Sequence, residues 1–287
     1  MPTDVVPEIP NQLRAAFVRW DNGSRQRQQA MAWNRPAWQA TFPEHHNLLA
    51  TLPDRLDRTI VAQWGAGAAD SEAQAVQAFV VTMAWGYGPA GYGPSRAARV
   101  LRENTQAPQV LHEAACIVRS DGGAAAFAWL SEHRLHRLGV AFATKYLYFC
   151  NAPDTPPALI LDRIVQRWLR QHADTQVRLD WHVGDYGRYL TMASAWASEL
   201  GIAPDDAEYL IFSDMLSEEP GASPWAPPGR AADTVAAMED DETSAVLEAI
   251  DDAAASFAAL PGVSPADMDD FERGVRQLRR IVLARTN

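Results

Sequence analysis

Lysine is all but missing from this chain. Lys145 stands alone against twenty-four arginines, the remainder of 25 basic residues. In a composition that supplies basic charge as arginine, a retained lysine points to work a guanidinium cannot do: an amine can shed its proton and attack carbon. Cysteine is scarce as well. Cys116 and Cys150 are isolated, with no CxxC and no cluster spacing, which excludes a zinc ribbon or an iron-sulfur centre and leaves two reduced core thiols as the expectation. No apolar run approaches the roughly 18–20 residues that a membrane span needs. The opening MPTDVVPEIP carries neither the basic nor the apolar region of a secretory signal, so a cytoplasmic protein with no membrane contact is expected. His45-His46 and His133/His136 find no third ligand at useful spacing, so neither a metal nor any other cofactor is expected.

What is present is a core. Apolar residues make up 47% of the 287, with 10 Trp among them, enough for a packed domain. The net charge of -11 is uneven: residues 217–287 hold 14 acids and 6 arginines, leaving 22 acids and 19 bases for residues 1–216. The larger part is therefore near neutral, which permits a basic face.

Convincing strand alternation is absent and helix signals dominate, so the expected fold is all-α. Alanine- and leucine-bearing segments at Asp70–Gly86, Ser95–Asn104, Ala124–Leu135, Ala143–Cys150, Asp162–His172, Tyr186–Leu200 and Asp205–Leu216 are separated by Gly and Pro. Residues 217–230, SEEPGASPWAPPGR, read as a Pro/Gly-rich linker. Residues 231–287 then form an acidic segment with helical patterns at Asp233–Leu260 and Pro265–Ala284. It reads as a packing or solubilising appendage, with an unidentified protein partner or imitation of DNA charge as the other readings.

From His136 the chain runs HRLGVAFATKYLYFCNAPDTPPALILDRIVQRWL. A helix, a glycine-bearing turn, Thr144-Lys145 within the next helix, and Asp162 at a helix start 17 positions on resemble the helix-hairpin-helix DNA glycosylases. The 8-oxoguanine glycosylase (OGG-fold) branch is the most similar; the four-cysteine cluster of the endonuclease III branch is missing. In that branch the lysine of a G-V-G-T-K hairpin is the nucleophile and a later Asp the second catalytic group, which implies those roles for Lys145 and Asp162. Ala141-Phe142-Ala143-Thr144-Lys145 replaces the hairpin sequence, and Gly139 lies two positions earlier. The resemblance implies phosphate contact through Gly139 and Thr144, and duplex DNA with a modified base as partner. Read by itself, Asp162 could equally be a helix cap.

The chemistry suits the pair. Cleavage of an N-glycosidic bond leaves cationic character on the sugar, which a carboxylate stabilises, while an amine can take the anomeric carbon. A second segment, Met83–Leu101 (MAWGYGPAGYGPSRAARVL), sets Trp85, Tyr87 and Tyr92 among glycines and then opens a helix with Arg96 and Arg99. An enzyme that extrudes a base fills the gap with an inserted side chain. Tyr87 or Tyr92 is the candidate wedge and Arg96 and Arg99 the candidate phosphate contacts; packing of these aromatics in the core is the other reading. Trp85, Phe149, Phe212 and Asp214 are candidates for the base pocket, with Phe212 at a spacing that also suits a core helix.

The expected activity is a DNA glycosylase, with AP lyase activity through Lys145 left open. Two substrates stand open, a hypermodified phage base such as glucosylated hydroxymethylcytosine, which the altered hairpin favours, and 8-oxoguanine. The reading from another class is a catalytically dead DNA-binding module.

Overall fold

The computed structural model describes residues 7–218 and 265–283. The chain divides into two compact units, residues 1–226 and 227–287. The first holds α1 (Asn11–Asn22), α2 (Arg35–Thr41), α3 (His46–Thr51), α4 (Arg58–Ala66), α5 (Glu72–Tyr87), α6 (Gly93–Glu103), α7 (Ala107–Ser120), α8 (Gly123–Glu132), α9 (Val140–Cys150), α10 (Arg163–His172), α11 (Val183–Leu200) and α12 (Pro204–Glu218). In the second, α13 (Pro265–Leu283) is described. It matches the second tail pattern; the pattern at Asp233–Leu260 lies outside the described residues. Met31–Ala32 pairs antiparallel with Arg55–Leu56, the only strand pairing among the described residues. The fold is all-α, as the sequence predicts. No described helix is long and apolar enough to cross a membrane.

The organising element of the first unit is α5. Ser71 caps it, accepting from the Gln74 amide, and every residue from Ala78 to Tyr87 is buried. A helix apolar on all faces must be enclosed, and α5 packs against α4, α6, α7 and α9. Helix α7 was not expected from the sequence. Pro108 sits in its first turn, where an amide has no intrahelical partner and proline is tolerated. Behind it, Val110, Leu111, Ala114, Ala115 and Val118 form a buried stripe.

The N-terminal helices belong to the same body. Arg19 pairs with Asp214, Gln12 Nε2 donates to the same carboxylate at 3.2 Å, and Arg27 pairs with Asp205 and Asp206. Helix α4 meets α9 backbone to backbone: a Cβ on Gly65 would stand 2.0 Å from the Phe149 carbonyl oxygen. Only glycine fits that crossing.

Candidate active site

The hairpin expected from the sequence is formed by α8, the turn 133–139 and α9. Arg137 takes the left-handed conformation, φ 71°, and Leu138 N donates to Leu135 O at 3.1 Å. Gly139 is the N-cap of α9 with an extended backbone, φ -81° and ψ 164°. Nothing lies within 4 Å of where its Cβ would be, so the turn is open at this point. No side chain caps α9, and the Gly139 carbonyl accepts from Phe142 N at 3.1 Å and Ala143 N at 3.0 Å.

One turn into α9 the chemistry turns inward. Lys145 Nζ donates to Asp162 Oδ2 at 2.9 Å, with the two side chains 9% and 15% exposed. Asp162 is also the N-cap of α10, its Oδ1 accepting from Ile164 N at 3.1 Å and Val165 N at 3.2 Å. Cap and ion-pair partner are therefore one residue, with an oxygen for each task. Burial alone would raise the Asp162 carboxyl, but the Lys145 charge and hydrogen bond, with the two amides, hold it below its ordinary value.

The 17-position separation is closed by a non-helical run, Ala158–Asp162, buried as far as Leu161, that hydrogen-bonds to α9 and α11. Non-helical backbone in a core must find partners for its amides and carbonyls, and here hydroxyls supply them. Thr144 Oγ1 accepts from Leu161 N at 3.0 Å. Tyr186 Oη accepts from Leu159 N at 3.2 Å and donates to Leu159 O at 2.9 Å. Tyr189 Oη donates to Ile160 O at 3.0 Å. Thr144, expected at the DNA surface, is thus wholly buried, its hydroxyl engaged in placing Asp162.

The aromatic segment lies beside the amine. Phe142, on α9 one turn before Lys145, stacks on Tyr87 with centroids 4.2 Å apart and planes at 25°. Tyr87 meets Tyr92 edge-on at 5.8 Å, and the Arg96 guanidinium lies 4.9 Å over Tyr92. Of the two wedge candidates, Tyr87 is 9% and Tyr92 56% exposed, so only Tyr92 stands at the surface. Arg99 binds Glu103 at 2.7 Å. Trp85 packs edge-on against Phe149 at 5.0 Å. Its Nε1, like Thr82 Oγ1 one turn earlier, is buried with no hydrogen-bond partner. Phe212 is buried. Asp214, a pocket candidate, has its oxygens taken by Gln12, Arg19 and Trp168 Nε1; it joins α12 to α1 and α10.

Sequence reasoning missed Arg58 and Glu208. Arg58 Nη1 lies 2.6 Å from Glu208 Oε2, with both side chains almost wholly enclosed. The guanidinium sits over Trp85, Tyr148 and Tyr209 at 5.8, 5.0 and 5.9 Å from the ring centres. Burial pushes the Glu208 carboxyl up against the pull of Arg58; Asp162 pushes it further and Lys145 draws it down. The two ion pairs therefore feel one another. Nothing local in the sequence flags either residue, since arginine and glutamate are common here and the partners are 150 positions apart.

No curated protein and no solved structure matches this chain. One protein family does, that described as "Putative 8-oxoguanine DNA glycosylase OGG-like protein", over residues 24–212. That stretch holds α2–α11 and most of α12, with the hairpin, Lys145, Asp162 and both members of the Arg58–Glu208 pair, and the chain belongs to this family.

Proposed function

We propose that the protein extrudes a modified base from duplex DNA and breaks its N-glycosidic bond, with Lys145 as nucleophile and Asp162 as the catalytic carboxylate. The observation that carries this reading is the buried 2.9 Å contact between the only lysine and a carboxylate held below its ordinary pKa. The ion-paired Lys145 ammonium first passes a proton to solvent; attack of the neutral amine on C1′ then forms a carbon–nitrogen bond as the glycosidic bond breaks, and its electron pair leaves with the base, which takes up a proton from water. Asp162 is the nearest acceptor for the proton the amine gives up and faces the cationic sugar. Ring opening then yields a Schiff base; its hydrolysis leaves an abasic site, and elimination of the 3′ phosphate from it would be the AP lyase step.

Gly139, with open space beside it at the start of α9, suits a DNA phosphate, and exposed Tyr92 with Arg96 suits the gap left by the extruded nucleotide. For the base, we favour a bulky hypermodified pyrimidine such as glucosylated hydroxymethylcytosine, which would make the protein an antiphage enzyme, over 8-oxoguanine. What supports that preference is the replacement of both hairpin glycines by Ala141 and Ala143, the mark of a specialised member.

The test incubates wild type and Lys145→Gln with duplexes carrying either base, beside unmodified DNA, and measures alkali-revealed abasic sites. Excision by wild type alone is the expected result, and the duplex cut names the substrate. Equal action of the two proteins would remove Lys145 from the chemistry. Salt-dependent duplex binding with no excision of any base would favour the dead binding module.

A further inference from the structure

Phe142 lines this site from the edge of the core, against which it packs only partly buried. It lies three positions before Lys145 on α9, hence on the same helical face, and the amine stands 5.7 Å over its ring. Both side chains use the room above Gly86. A Cβ there would come within 2.8 Å of Phe142 Cε1 and 3.5 Å of Lys145 Cδ. The missing side chain of one glycine on α5 thus lets an aromatic ring and the amine stand side by side.

The ring is held in orientation. Tyr87 stacks on it nearly parallel, Tyr92 supports Tyr87, and Tyr92 is the one member well exposed to solvent. A line of rings therefore leads from the surface to the amine. Phe142 itself is only partly exposed, too enclosed to enter a duplex, whereas Tyr92 is 56% exposed. A planar group brought to the amine from outside would meet the Phe142 ring beside it.

We propose that Phe142 is a specificity-determining residue, whose ring stacks on the extruded base while Lys145 addresses the sugar. The inference rests on the glycosylase reading above. Base-on-aromatic stacking accepts any flat ring and depends on its size and electronics. Phe142 would therefore select for an intact planar base, leaving the atoms at its edge to other groups.

The test separates base from sugar. A duplex whose base wild type removes is compared, in single turnover, with a duplex carrying a ready-made abasic site, on which the amine is trapped by borohydride. Phe142→Val should slow base loss by roughly ten- to a hundred-fold and leave trapping on the abasic duplex close to wild type. Phe142→Tyr should restore base loss. Gly86→Ala, which pushes the ring from its seat while keeping it in the sequence, should fall with Phe142→Val and covers the case in which that variant fails to fold. Equal losses on both duplexes, or no loss on either, would overturn the proposal and leave the glycosylase reading standing. Wild type that removes no base and forms no adduct would overturn both.

Discussion

At the scale of single residues, Asp162 links stability to the proposed chemistry, because the same carboxylate caps α10 and holds Lys145. Its pKa is lower in the folded than in the unfolded chain. Such a group contributes stability that is complete above its unfolded value, about 4, and is lost as pH falls through the folded value. Asp162→Asn keeps a capping oxygen but gives up the ion pair. Its melting temperature should lie below that of wild type at neutral pH, and the gap should close on acidification below about pH 4. A gap unchanged down to pH 2 would show that the ion pair contributes nothing. The cysteines make a second case. Burial pushes the Cys150 thiol up to about 12 and also raises Cys116, which is partly exposed. Only thiolate reacts. At pH 8 an aromatic disulfide reagent should therefore modify Cys116 slowly, and Cys150 only once the protein is unfolded. Lys145 was legible in the sequence because its rarity set it apart, and Asp162 because it stands at a helix start downstream of it. Phe142 and Gly86 were not, since their significance is a shared space between two helices that no sequence spacing encodes.

The element that decides the site's geometry is not a helix. Ala158–Asp162 is non-helical backbone in an all-α unit, buried as far as Leu161, and its polar groups rely on Thr144, Tyr186 and Tyr189. The helices around it were readable because apolar periodicity and caps are local signals; α9 begins at Val140 and α11 at Val183, each three residues before the expected start. The non-helical run was unreadable as a structural feature, since its partners are hydroxyls on helices up to 29 positions away. Tyr186→Phe removes one hydroxyl and strands both the amide and the carbonyl of Leu159. An unpaired buried group costs about 1–3 kcal/mol, so the loss should lie near the top of that range or above it. Tyr189→Phe strands one carbonyl, that of Ile160, and should cost less. Thermal melting of the two variants checks the order, and a reversed order would mean that water or a shifted backbone repairs Leu159.

At the scale of the whole first unit, a contact between distant parts of the chain closes the fold around the site. Arg58 at the start of α4 and Glu208 in α12 form an ion pair enclosed by Trp85, Tyr148 and Tyr209, so one contact ties α4, α5, α9 and α12 together. Its value depends on being complete. Taking two charges out of water is costly, and the pair recovers that cost only while both partners are present. Arg58→Met leaves the Glu208 carboxylate buried without its cation and should destabilise the unit by about 3–5 kcal/mol. The double variant Arg58→Met/Glu208→Leu removes both charges and should regain much of that loss, which denaturant unfolding of wild type, each single variant and the double variant would measure. Additive losses would mean that Arg58 acts mainly by packing its guanidinium among the three rings. Because Glu208 also feels Asp162 and Lys145, a double variant that regains stability would further separate two roles: excision at the wild-type pH optimum would make the pair a structural tie, and an optimum displaced in pH would make it part of the electrostatic setting of Lys145 and Asp162.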